Sequence, residues 1–412
     1  MTRPLTIKGN HDHFGYYKVG SYKTYSKVEA IELSAKNNTK LQWMFNNEVY
    51  EKFHWNIEPP GTLDFWYGER AKQIRHAYDY IVLMYSGGAD SWNVLRAFVD
   101  NNIFVDEICH YITHEGTPLG EDAAQNEEVY KTSYPAAKKL IETNPVYRHT
   151  KHRVVDGGPA LIKRMASMNF ENYFYEEGNS FYGPWGTTFA DLRNVEPDFK
   201  RLAEKKKTVC FVWGYEKPLI EVKENGTKFF IKFNETSLST FMKPKHQSAS
   251  NHWQYDEAFY WTPDMPEISC LQGHIIKRFL EKVDDSLIDG YYLKYQEPNA
   301  KQGVGYSVKF SKNGKNYELT DHGAHRLIYK GWDTTTIVCP KTPSTTFSNK
   351  DMWWLKNNVQ GSGNRQYVQG MFHLRDRIKK IAPEWWYDTK YDPTKELYRG
   401  GIYPYNILYA LN

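Results

Sequence analysis

The residues most able to do chemistry are consecutive: Ser86-Gly87-Gly88-Ala89-Asp90-Ser91. Two adjacent glycines let the backbone curl so that successive N–H groups converge on one point, with no Cβ to keep an anion away. A helix starting directly behind them adds its unsatisfied first-turn amides and the positive end of its dipole. Ser86 and Ser91 supply hydroxyl donors, and the Asp90 carboxylate can hold a divalent cation against phosphate oxygens. These residue types in this order describe a phosphate cradle with its own metal ligand. No Gly-Lys-Ser/Thr follows the glycines and no GxGxxG sits at a strand–helix junction, so two other phosphate patterns are excluded.

Such a loop needs a strand behind it and a helix ahead. Tyr80–Tyr85 is a continuous apolar run ended by glycines, as expected of a strand buried on both faces. Helical spacing follows over Ser91–Val99. Val105–Ile112, His152–Val155 and Thr208–Trp213 read as further strands, and Asn126–Ile141, Ala160–Met165 and Pro197–Lys206 as helices. This alternation predicts an α/β fold over residues 76–218, a parallel sheet with flanking helices. Residues 1–75 form an N-terminal extension with two helical stretches, Lys27–Ala35 and Asp64–Arg75, separated by the breaker Glu58-Pro59-Pro60-Gly61. Residues 219–412 read as an aromatic-rich α+β region holding the substrate or acceptor. There, Ile220–Phe233 and Tyr306–Leu319 are hairpins turning at Asn225-Gly226 and Asn313-Gly314. Ile268–Val283 is a helix with Pro266 in its first turn and Asp264 as its cap. Beyond it lie few strong elements.

In this setting Ser86–Ser91 matches the SGGxDS signature and resembles the PP-loop, or N-type, ATP pyrophosphatases, among them asparagine synthetase, GMP synthetase, NAD synthetase and tRNA lysidine synthetase. The resemblance covers about 140 residues and implies a HUP-like fold of the adenine nucleotide alpha-hydrolase kind. It also implies ATP and Mg²⁺ as cofactors, with pyrophosphate gripped by Tyr85, Ser86, Gly87, Gly88, Ala89, Asp90 and Ser91 while ATP is split between its α and β phosphates. The second strand ends in Ile112-Thr113-His114-Glu115-Gly116, where the family's adenosine docks, so His114 joins the candidate site. The fourth strand ends in Trp213-Gly214-Tyr215-Glu216-Lys217-Pro218, at the strand carboxyl ends where α/β sheets bind ligands. Gly214 and Lys217 would then line the site. Asp90 and Glu216 would hold the metal, and Lys217 would join Asp90 as a catalytic residue by stabilising developing charge. A solvated strand end with an exposed ion pair is the alternative for Glu216 and Lys217. The Gly214-x-x-Lys217-Pro218 segment is also similar to one in phage-encoded PP-loop proteins.

The resemblance implies an ATP-dependent ligase or amidotransferase-like enzyme that adenylates a carboxyl or carbonyl acceptor before ammonia or an amine attacks. The other readings are adenylation-dependent modification of a nucleobase or tRNA, and a non-catalytic ATP-binding module. Cys109, Cys210, Cys270 and Cys339 lie far apart without a CxxC. No nucleophilic cysteine follows Met1 and no redox pair lies near the end, which argues against a glutaminase, thiolation or sulfonucleotide reduction. Scattered cysteines and an N-terminus without an apolar core point to a reduced, cytoplasmic protein.

Other motifs carry weaker signals. His11 and His13 at i and i+2 form either a metal chelate or a surface loop. Asp321-His322-Gly323-Ala324-His325-Arg326 reads the same way, a metal ligand set or a turn with exposed histidines. Gln272 and His274 contact the acceptor if their helix faces the crevice. Lys205-Lys206-Lys207 ends a helix, where positive charge suits the dipole, or contacts nucleic acid. The net charge of +4 excludes a strongly electrostatic nucleic-acid binder but leaves room for a local patch. Hydrophobic residues make up 40%, and aromatics alone reach 16%. Exchanging the 32 Tyr in the hydrophobic class for the 28 Gly leaves about 39% apolar against the usual ~45–50%, so the shortfall is aliphatic. The aromatics either fill a core short of aliphatics or stack unpaired bases. No apolar run is long enough to span a membrane, and no sequence feature specifies an oligomeric state.

Overall fold

The computed structural model describes residues 3–5, 11–112, 128–156, 197–214, 217, 219–238, 254–296, 307–329, 331, 363–388 and 401–412. The chain opens with an antiparallel sheet of β1 (Tyr16–Val19), β2 (Tyr22–Thr24) and β3 (Leu41–Met44), in the order β2-β1-β3. Helix α1 (Lys27–Asn37) lies between β2 and β3. It starts where Ser26 accepts a hydrogen bond from the Glu29 N–H and stops at Asn38, which is left-handed (φ 47°). These three strands were not foreseen in the sequence, because each is only three or four residues long. Helix α2 (Leu63–Ala77) begins at Thr62, whose side chain caps the Phe65 N–H.

The α/β unit follows: β4 (Tyr80–Met84), α3 (Ala89–Asp100), β5 (Glu107–Ile112), α4 (Tyr134–Glu142), β6 (Lys151–Asp156), α5 (Pro197–Glu204) and β7 (Val209–Trp213). A π-helical segment, Glu128–Ser133, leads into α4, so the long helix expected from Asn126 is divided. Asn126 itself and the helix expected over 160–165 lie outside the described residues. Beyond the unit come the hairpin β8 (Leu219–Lys223) and β9 (Lys228–Asn234), then β10 (Gln254–Ala258).

Strands β4, β5, β6, β7 and β10 form one five-stranded sheet in the order β10-β7-β4-β5-β6, and every neighbouring pair is parallel. The protein is thus α/β at its centre. All five residues of β7 are buried, as expected of a strand covered on both faces. The sheet takes its edge strand, β10, from beyond residue 218. That strand is mostly polar, and Arg70 of α2 neutralises its buried carboxylate. Arg70 donates to Glu257 (2.8 Å) and to the Ala258 carbonyl (2.9 Å), and Tyr78 donates to the other Glu257 oxygen (2.5 Å). A buried carboxylate is tolerated when it is paired and hydrogen-bonded in this way.

Helix α6 (Glu267–Glu281) packs against α2 and the β8–β9 hairpin. Its N-cap position is Pro266, with no side-chain cap, so Asp264 does not serve as the predicted cap. Gln272 and His274 are buried and spent on structure. Gln272 Nε2 donates to Tyr67 Oη (2.8 Å), and His274 Nε2 lies 2.9 Å from the Trp55 carbonyl. Further along come β11 (Leu293–Tyr295), β12 (Val308–Lys312) and β13 (Lys315–Leu319), then helices α7 (Asp321–Ile328) and α8 (Gly363–Ile381). Three strands close the chain: β14 (Trp386–Tyr387), β15 (Gly401–Ile402) and β16 (Asn406–Ala410). β16 pairs antiparallel with β9. Both predicted hairpins form, with left-handed Asn225 and Gly226, and Asn313 and Gly314, at their turns. No helix among the described residues is long and apolar enough to cross a membrane.

Candidate functional site

In order of appearance the parallel strands run 3-2-1-4-5 across the sheet. The direction of winding therefore reverses between β4, the first, and β7, the fourth. Open α/β sheets bind ligands outside the strand carboxyl ends at such a switch point. The Ser86–Ser91 loop follows β4 there, and Gly214 follows β7 beside it.

Local sequence explains the loop's shape. Gly87 is left-handed (φ 77°), and a Cβ on it would lie 2.2 Å from the Ser133 Cβ, so both conformation and close approach require glycine. Gly88 occupies the N-cap of α3 without a side-chain cap, which leaves the first-turn amides of the helix to the loop. Ser91 is buried and donates to the Gly88 carbonyl (3.1 Å), and its Oγ lies 3.2 Å from that of exposed Ser86. The Gly88 N–H points to Ser86 Oγ (3.3 Å). Tyr85 and Ala89 are buried supports, the Tyr85 N–H donating to the Cys109 carbonyl (2.9 Å). Gly214 touches the same helix start from β7. A Cβ there would meet the Asp90 carbonyl carbon and the Ser91 nitrogen at 2.9 Å, so glycine brings the two loops together.

Behind Gly87 stands a polar line that was not read from the sequence. Ser133 Oγ is 3.3 Å from His110 Nδ1, and His110 Nε2 is 2.8 Å from His152 Nε2. Burial, and then the neighbouring His152, push His110 down to about 3. Burial, and then Lys138, push His152 down to about 4. Both rings are neutral at physiological pH, one donating and the other accepting. The π-helical segment ending at Ser133 is what sets that serine beneath the loop.

Asp90 has partners from distant parts of the chain. Tyr329 Oη donates to Asp90 Oδ1 (2.5 Å), and Tyr260 Oη donates to the Asp90 carbonyl (2.8 Å). His325 Nε2 lies 3.8 Å from the same Oδ1. Burial, and then the nearby Asp90 charge, push the Tyr329 phenol well above its ordinary value, so it stays a donor. His325 and Tyr329 come from α7 and the residue following it. This corrects the reading of Asp321–Arg326 as a turn with exposed histidines. The segment is a helix capped by Thr320, which accepts from the Gly323 N–H (3.1 Å), and His325 is 9% exposed. His322 remains outside, stacked on Tyr291.

Lys217 is buried, 3% exposed, with its Nζ 4.0 Å from Asp321 Oδ1. An exposed ion pair at the end of β7 therefore does not describe Lys217. His114 and Glu216 lie outside the described residues. Among the described residues no group of three or more His, Cys, Asp or Glu side chains is placed to hold a metal. At the N-terminus, Asp12 binds Lys23 and Tyr25, and His13 is buried.

A Mg²⁺ ion bound with a phosphate chain needs only one or two carboxylates, with phosphate oxygens and water completing its shell. Asp90, a quarter exposed at the loop, fits that requirement. No protein-family model matches the chain, and no curated protein is similar to it.

Proposed function

We propose that the protein is a PP-loop ATP pyrophosphatase acting as an AMP-forming ligase. One observation carries the reading. The Ser86–Ser91 loop opens an uncapped helix at the switch point of a parallel sheet, between the carboxyl ends of β4 and β7. In this reading the pyrophosphate portion of ATP lies over Ser86, Gly87 and Gly88 and the first amides of α3. Asp90 would hold Mg²⁺, with Glu216 as the expected second carboxylate. The ion would neutralise charge on the phosphate chain.

The chain's own residues do the rest. A carboxyl or carbonyl oxygen of the acceptor attacks the α-phosphorus, forming one P–O bond as the bond to the bridging oxygen of the β-phosphate breaks. The leaving pyrophosphate is stabilised by loop amides fixed in advance by Gly87, Ser91 and Gly214. Lys217, adjoining the β7 loop, is the cation nearest that edge in sequence and supplies positive charge. Ammonia or an amine then displaces AMP from the adenylated acceptor, releasing a proton from nitrogen.

Incubation with α-labelled ATP, Mg²⁺ and a panel of carboxylate and nucleotide acceptors tests the proposal. The wild-type protein should release AMP and pyrophosphate with a subset of acceptors. Asp90→Ala should lower that release by about 10²-fold or more, as loss of a preorganised charge partner does elsewhere. Unchanged pyrophosphate release in Asp90→Ala would exclude the mechanism.

A further inference from the structure

Helix α7 packs against α6 and brings its buried His325 to the Asp90 end of the switch point. Asp321, in its first turn, reaches the Lys217 side of the crevice, and His325, one turn on, reaches the Asp90 side. Tyr329, a further turn on, ties the helix to Asp90 by its phenol. The spacing of four residues puts Asp321 and His325 on one helix face, and Tyr329 directly follows the helix.

The helix is seated firmly enough to act as a wall. Asp289 Oδ1 accepts from the N–H groups of Tyr291, Tyr292 and Leu293 (2.7–3.0 Å) and fixes the preceding turn. Thr320 Oγ1 donates to the Tyr291 carbonyl (2.7 Å). Gly323 lets α7 approach that turn, since a Cβ on it would lie 2.5 Å from the Tyr292 carbonyl oxygen. On the inner side, Tyr329 stacks on Tyr260 (5.8 Å, 27°), and His325 lies nearly parallel to Tyr329 (5.4 Å, 15°). Tyr67 Oη donates to the Ile328 carbonyl (3.0 Å) and locks the end of the helix.

We propose that the Asp321–Tyr329 segment is the outer wall of the nucleotide site, in which His325 donates a hydrogen bond to the bound polyphosphate and Tyr329 is the positioning residue that sets the Asp90 carboxylate. The inference rests on the ATP reading above and deepens it. It assigns part of the nucleotide site to the C-terminal region, which the sequence reading gave to the acceptor. Both side chains converge on Oδ1 of Asp90, the carboxylate expected beside the phosphate chain. The imidazole N–H serves as donor, and the phenol, fully buried and always protonated, holds one carboxylate oxygen in place.

Thermal unfolding of the full-length chain, titrated with ATP at saturating Mg²⁺ and with Mg²⁺ at fixed ATP, tests this. His325→Ala should raise the ATP concentration for half-maximal stabilisation about tenfold, and His325→Gln, which keeps a side-chain N–H, should recover most of that loss. Tyr329→Phe keeps the ring and its stacking but loses a buried hydrogen bond to a carboxylate, so its unliganded midpoint should fall by a few degrees. Its Mg²⁺ requirement should rise about fivefold, a change that a purely structural tyrosine would not produce. If ATP and Mg²⁺ do not stabilise the wild-type protein, the nucleotide reading falls and this inference with it. If they do, and all three variants respond at wild-type concentrations, this inference alone is overturned.

Discussion

Two aromatic clusters in this molecule use the same residue types for opposite ends. The first is a wedge between the N-terminal sheet and β9. Trp43 stacks on Phe45 (4.8 Å), Tyr50 on Phe233 (5.1 Å) and Trp55 on Tyr409 (5.1 Å), while Trp261 meets Phe233 edge-on (5.0 Å). In it Trp43 Nε1, Tyr50 Oη, Trp261 Nε1 and Tyr409 Oη have no hydrogen-bonding partner among the described residues. The second cluster, Tyr67, Tyr260 and Tyr329, lies under Asp90, and every hydroxyl in it is hydrogen-bonded. The wedge gains from area and shape, whereas the second cluster gains from direction. A tyrosine that only packs can leave its hydroxyl idle, but one that positions a carboxylate cannot.

The largest expected effect comes from breaking the wedge. Phe233→Ala removes a fully buried ring shared by at least five aromatic neighbours and should destabilise the protein by about 3–5 kcal/mol. Urea unfolding would measure it, and the loss should be the same at pH 7.5 and pH 5. The region behind the loop should behave differently, because His110 and His152 are held neutral. The unfolded chain takes up protons near 6.5 that the native pair refuses. Stability is therefore intact above about pH 6.5 and lost as pH falls toward about 4 and then 3, with a slope approaching two protons at its steepest. Urea midpoints that do not fall between pH 7.5 and pH 5 would contradict the buried neutral pair.

The smallest effects separate the clusters most sharply. Tyr260→Phe removes the donor to the Asp90 carbonyl and the acceptor for Asn93 Nδ2 (3.0 Å), and should cost about 1–2 kcal/mol. Tyr50→Phe removes a hydroxyl without a partner and should change stability by about 0.5 kcal/mol or less, or raise it. Equal losses in the two variants, measured by the same urea unfolding, would erase the distinction.

Much of this was legible from local pattern. The apolar run before Ser86 and the glycines after it specify a strand and a turn, and two Asn-Gly pairs specify two hairpins. β10 was not legible, because Gln254-Tyr255-Asp256-Glu257 is polar and becomes a core edge through distant partners, above all Arg70, nearly 190 residues away, and Tyr78. The loop was readable, but its partners were not. Thr320 and Gly323 place α7 through contacts with a turn some thirty residues upstream. Nothing within Asp321–Arg326 itself reveals that His325 faces inward. Ser133 escaped notice for the same reason, since it matters only through its contact with Gly87. Sequence signals report a residue's own conformation well. They report its distant neighbours only when those neighbours leave a pattern of their own.

The bond between Asp90 and Tyr329 spans 239 residues. At ribosomal speeds of 5–20 residues per second, the Ser86–Ser91 loop is synthesised roughly 12–48 s before the phenol that fixes its carboxylate. During the first half of that interval β4 and β5 can pair while β7 is still unmade; β10 follows later, and α7 comes only at its end to close the switch point. The most functional-looking segment of the chain is thus among the early parts to be made and among the last to be completed.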